Sequence, residues 1–151
     1  MNLQRYQYYF ILLIFVVIAL VCVFSFIYYI PARASLLYGP PANHLSISNR
    51  IEYSARLLSY GDELSTPLNP NGVEQNFIVS SGESISSIAQ RLQESNLISN
   101  ADAFFDYVVY TGVDLTIQAG EFNLSPAQSI IDIAKALQKF SPTDATLVIL
   151  A

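Results

Sequence analysis

Twenty-three consecutive residues, Tyr8 to Ile30, carry no charge. As a helix this run measures roughly 34 Å, enough to cross the apolar core of a bilayer with some tilt. Tyr8 and Tyr9 at one end, and Tyr28 and Tyr29 at the other, suit the two lipid–water interfaces. Pro31 is expected to end the helix. A cleaved secretory signal is the rival reading, with Ala32-Arg33-Ala34 as its small-residue site. The run is longer than a signal core of about 7–15 residues, and its end is crowded with aromatics. Residues 1–31 are therefore read as a short stub and an uncleaved transmembrane anchor. Arg5 before the run and Arg33 after it give little charge bias. The short amino terminus and the acidic, cysteine-poor remainder predict an N-in, C-out orientation.

The second constraint is a repeat. Phe77–Gln93, FIVSSGESISSIAQRLQ, returns without a gap as Phe122–Gln138, FNLSPAQSIIDIAKALQ, at an offset of 45. Phe77/Phe122, Ser80/Ser125, Ser84/Ser129, Ile85/Ile130, Ile88/Ile133, Ala89/Ala134, Leu92/Leu137 and Gln93/Gln138 are identical. Each copy reads as strand, turn and helix. Ile85, Ile88, Ala89 and Leu92 form one helical face, and Ser84 stands at the N-cap with Glu83 near the positive helix end. Neither copy can bury its helix face alone.

Between anchor and repeat, residues 32–76 read as a connector. Gly39-Pro40-Pro41 is a stiff break, and Ser46–Tyr60 forms a short helix that Gly61 ends. This helix either lies on the membrane or packs on the following domain; Arg50 and Arg56 make only a thin basic face, which favours packing. Thr66 to Gly72 is turn chemistry and marks the boundary. A further helix is predicted from Ala101 to Tyr110, with Ser99 and Asp102 at capping-box spacing, an inner stripe of Ala101, Phe104, Phe105 and Val108, and Gly112 as its stop. The second strand falls within Ile117–Leu124, and the last helix runs from Ser129 to about Lys139. Thr146–Leu150 reads as a buried strand, and more chain is expected after it.

All twelve acidic residues follow residue 50, and from Val73 on nine acids face only Arg91, Lys135 and Lys139. That balance argues against nucleic acid as a partner. Cys22 is the only cysteine and lies in the apolar run, where it is a small hydrophobe. No cofactor motif and no metal cluster stands out, and His44 is read as an exposed connector residue. Asp62-Glu63 and the pair Asp102 and Asp106 are read as solvated carboxylates.

Strand, helix, helix, strand is the order of a LysM module, and Val79–Ala89 is similar to its opening. The chain more specifically resembles the MltG/YceG-like endolytic lytic transglycosylases. The resemblance is carried by Gly82-Glu83-Ser84, Ile88-Ala89-x-x-Leu92, Leu97-Ile98, Phe104, Gln118–Phe122 and Ser129-Ile130-x-x-Ile133-Ala134-x-x-Leu137. It implies an α+β fold: a single transmembrane helix, then a LysM-like βααβ unit over residues 77–141 with an extra helix and a terminal strand. It also implies cleavage of peptidoglycan glycan strands at the outer face of the plasma membrane, with a 1,6-anhydro product. The family's catalytic glutamate belongs to a following domain, of which residues 142–151 would be the first strand, so no acid is assigned in this chain and inactivity alone is expected. Glycan contacts implied by the LysM likeness fall on Ser81, Gly82, Glu83, Ser84, Thr116 and Gln118. The chain lacks tryptophan, and a LysM-like unit that only positions its neighbour stays open. A non-catalytic, anchored glycan-binding or division-interaction module is the alternative. Cell-wall synthesis proteins are the further partners the resemblance implies.

Overall fold

The computed structural model describes residues 3–138, with side chains described from Gln7 on. Lys139 and the strand expected at Thr146–Leu150 lie outside them. Among the described residues the fold is α+β: five α-helices and one two-stranded antiparallel sheet.

The first helix, α1, runs Leu3–Tyr38 and does not stop at Pro31. A proline inside a helix removes one backbone donor and crowds the preceding turn, at roughly 3 kcal/mol. Packing offsets that cost. Beyond the proline Ala34 is fully buried, and the Tyr38 hydroxyl reaches the carbonyls of Leu57 and Gly61, both at 3.2 Å. The helix ends one residue later at Gly39, whose φ of +92° suits glycine. Bulky side chains from Tyr8 to Tyr29 stay exposed, so the apolar run has no protein partner among the described residues.

The second helix, α2, spans Ile47–Tyr60. Ser46 caps it by accepting from the Asn49 amide, and Gly61 closes it at φ +57°. A short 3-10 turn, Gly61–Leu64, follows. Leu57 and Leu64 are fully buried in the same core cluster as Phe77, Phe104, Tyr110 and Ile133. The connector thus packs on the domain as expected, and through Leu64 it forms one of its layers.

Strand β1 is Gln75–Val79, helix α3 is Ile85–Glu94, helix α4 is Ala101–Thr111, strand β2 is Gly120–Leu124 and helix α5 is Ile130–Ala136. The expected βααβ order is present. Phe77 pairs with Phe122 in the antiparallel register. Those two are equivalents in the repeat, so the strands of the two copies are related by a local two-fold axis between the two phenylalanines. Both rings are buried, as are Ile88, Ala89 and Leu92 of α3 and Ile133, Ala134 and Leu137 of the second copy. The duplication is a pair of like-shaped units that share one core.

Helix α4 is buried on more sides than a single stripe allows. Ala103, Tyr107 and Tyr110 join Phe104 and Val108 in the interior, while Ala101 and Phe105 are only half-buried. The cause is tertiary: α2 covers the back of α4 while α3 and α5 pack against it. Its cap also differs from expectation. Asn100, not Ser99, accepts from the Ala103 amide at 3.1 Å, and the Ser99 hydroxyl donates instead to Glu63 at 2.9 Å. Gly112 stops α4 at φ +78° as expected.

Candidate functional site

The two copies make the same turn with the same bonds. In the first, the Glu83 carboxylate accepts the Ser80 amide at 3.1 Å; in the second, Gln128 accepts the Ser125 amide at 2.9 Å. Ser84 and Ser129 then cap α3 and α5 by accepting the amides of Ser87 and Asp132, both at 3.2 Å. Glu83 and Gln128 are equivalent positions, so the repeat keeps the acceptor and changes only its charge. That equivalence is visible in the alignment once chemistry replaces identity as the criterion.

Surroundings separate the two turns. The second is covered: Ser125 donates its hydroxyl to the Gly72 carbonyl at 2.8 Å, the Asn69 amide donates to the Pro126 carbonyl at 2.8 Å, and Ser125 and Ser129 are buried. Gly72 lies so close to Pro126 that an added Cβ would come within 2.2 Å of its ring. The first turn is open. Ser80, Ser81, Gly82 and Ser84 are exposed, and nothing lies within 4 Å of the Cβ position at Gly82, which takes φ +75°.

The register joins Val79 to Gly120 at the last pair of the sheet. The Ser80–Ser84 turn therefore leaves the same end of the sheet at which Thr116–Ala119 arrives. Thr116 and Gln118 are exposed there, and the Gln118 backbone is fixed by donating to the Leu137 carbonyl at 3.2 Å. Of the six residues singled out in the sequence, Ser81, Gly82, Ser84, Thr116 and Gln118 thus share one exposed end. Glu83 does not offer its carboxylate to that surface. Its side chain is 10% exposed and accepts from Ser80, from the Ser87 hydroxyl at 2.9 Å and from Arg91 at 2.8 Å. Burial pushes the Glu83 carboxyl up, but the Arg91 bond and the two other donors outweigh it and hold the group below its usual range. The five residues that share the open end consequently offer hydroxyls, an amide side chain and bare backbone, with no charge among them.

The carboxylates set aside as solvated divide. Asp102 is exposed, but Asp106 is buried with its side chain 2% exposed, accepting from the Tyr60 hydroxyl at 2.8 Å and facing Arg56 at 3.5 Å. Burial raises the Asp106 carboxyl despite those partners, and raises the Tyr60 phenol as well. The contacts tie α2 to α4. Sequence periodicity could not find it, because the covering helix α2 comes from 46 residues upstream. His44 is exposed as expected. Among the described residues no group of three or more His, Cys, Asp or Glu stands at metal-binding distances. The shallow concavity between Leu20 and Ala32 belongs to the apolar face of α1.

A long apolar amino-terminal helix joined to an α+β domain built on a duplicated strand–turn–helix unit defines the class of the chain. Residues 77–150, just under half of the chain, match the YceG-like family, the family domain of MltG-like proteins. No curated protein and no solved structure gives a match.

Proposed function

We propose that the chain is a single-pass plasma-membrane protein whose LysM-like unit binds peptidoglycan glycan strands in the service of endolytic transglycosylation. In this reading α1 is the anchor, with the amino terminus cytoplasmic and the sheet end at Ser80–Ser84 and Thr116–Gln118 outside. The observation that carries the reading is the contrast between the two copies. A duplication that covers one turn with Asn69–Gly72 and leaves its twin bare, beside a second exposed loop, supports use of the bare one. Uncharged hydroxyls and backbone groups suit a neutral polysaccharide, which is recognised by a few convergent hydrogen bonds and apolar contacts.

Glycosidic cleavage needs an acid held protonated beside the scissile bond. Glu83 is held ionised by Arg91, and Asp106 faces α2 rather than a groove. Neither is a proton donor to a bound glycan, and the described residues serve anchoring and recognition.

Full-length chain in detergent micelles should co-sediment with purified sacculi, and Ser81→Arg or Gln118→Ala should weaken that retention at least about fivefold, the loss of roughly one hydrogen bond. Wild type left in the supernatant, or variants that sediment equally, would overturn the reading. Release of 1,6-anhydro ends by this chain would overturn the recognition-only assignment.

A further inference from the structure

Comparison of the two turns also identifies what holds the open one in shape. The covered turn is fixed from outside by Asn69–Gly72 and needs only the neutral Gln128 within it. The open turn has no such cover. Its place is taken by Arg91, about two helical turns after Glu83. One guanidinium nitrogen donates to both Glu83 oxygens at 2.8 and 2.9 Å, and the other donates to the Ile78 carbonyl at 2.9 Å. The guanidinium also sits 4.8 Å from the centre of the Phe77 ring. One side chain thus grips the end of β1, the turn and the start of α3 together. In the second copy the position equivalent to Arg91 is Ala136, which makes no such bonds. The charged pair therefore occurs only in the copy whose outer surface is left free.

We infer that Arg91 is a positioning residue for the glycan-binding end, locking the Ser80–Ser84 turn through Glu83 and Ile78 so that Ser81 and Gly82 stay both ordered and accessible. The inference rests on the glycan-binding reading above. Arg91 touches no glycan in this arrangement; it acts through Glu83 and Ile78. A forked guanidinium suits the task because it makes charge-assisted bonds in two fixed directions, which a lysine ammonium on a flexible stem does not reproduce. Affinity gained in this way comes from ordering the site before the ligand arrives.

The test uses full-length chain in detergent micelles, with purified sacculi as the probe and amide hydrogen exchange at Ser80 as the second readout. In Arg91→Ala we expect retention on sacculi to weaken about tenfold and the Ser80 amide to exchange about tenfold faster, one decade each as for a lost partly buried ion pair. Arg91→Lys should recover part of both. Lys135→Ala, which removes an exposed charge from the second copy, should change neither. Should Arg91→Ala fail to fold, Glu83→Gln decides instead: it keeps an acceptor for the Ser80 amide, as Gln128 does, and loses only the ionic partner, so it should weaken retention in the same direction. Wild type that binds sacculi while Arg91→Ala and Glu83→Gln bind as well as it does would overturn this inference and leave the binding reading intact. A loss in Lys135→Ala equal to that in Arg91→Ala would reduce Arg91 to a mere charge and overturn it too. Wild type that does not bind at all would overturn the binding reading and this inference together.

Discussion

Leu57→Ala separates a structural layer from a spacer. Leu57 is fully buried on α2, beneath α1 and against the core that contains Phe104 and Tyr110. Truncation removes three carbon groups, worth roughly 2.4 kcal/mol of transfer free energy at about 0.8 each. The cavity adds to this, and measured Leu→Ala losses in well-packed cores reach about 5 kcal/mol. We take about 3 kcal/mol, since Tyr38 donates to the Leu57 carbonyl and fixes the backbone against collapse. For a domain of roughly 100 residues that loss lowers the midpoint of thermal unfolding by about 15 °C. Near-ultraviolet circular dichroism in micelles can follow the transition, because the chain has ten tyrosines and no tryptophan. Ile47→Ala on the same helix is the control: Ile47 is 77% exposed, and its loss should stay within about 0.5 kcal/mol. Equal midpoints for the two variants would refute the argument and return residues 47–60 to the status of a spacer.

Two other outcomes follow from the side-chain geometry. Asp106 has a carboxyl raised by burial, so the folded protein holds its proton more tightly than the unfolded chain. Its contribution to stability is complete below the ordinary carboxylate range and is lost as pH rises through the raised folded value. The stability of Asp106→Asn relative to wild type, measured by urea unfolding, should therefore increase from pH 3.5 upward and then level off; a difference that falls with pH would contradict the assignment. Ser84→Ala should cost about 0.5–1 kcal/mol and Ser129→Ala about 1–2 kcal/mol. The two caps share geometry, but Ser129 is buried and also donates to Asp132. Equal losses in urea unfolding would show that burial of the second cap contributes nothing.

The amino-acid sequence by itself determined the apolar helix, the duplicated strand–turn–helix units, the Ser84 cap, the stops at Gly61 and Gly112, and the βααβ order. These are local matters of periodicity, capping and backbone freedom, and they are legible within windows of a few residues. Of the six residues it singled out, five share the exposed sheet end, because loops that flank paired strands follow from strand order. Tertiary structure alone decided the continuation of α1 through Pro31, the shift of the α4 cap from Ser99 to Asn100, and the burial of Asp106, Tyr107 and Tyr110. Each depends on packing against distant chain, and a long-range contact can outweigh a local preference worth one to three kcal/mol. The same reason governs the two turns: equivalent sequence made them alike, and only the path of Asn69–Gly72 across one of them left the other open to solvent.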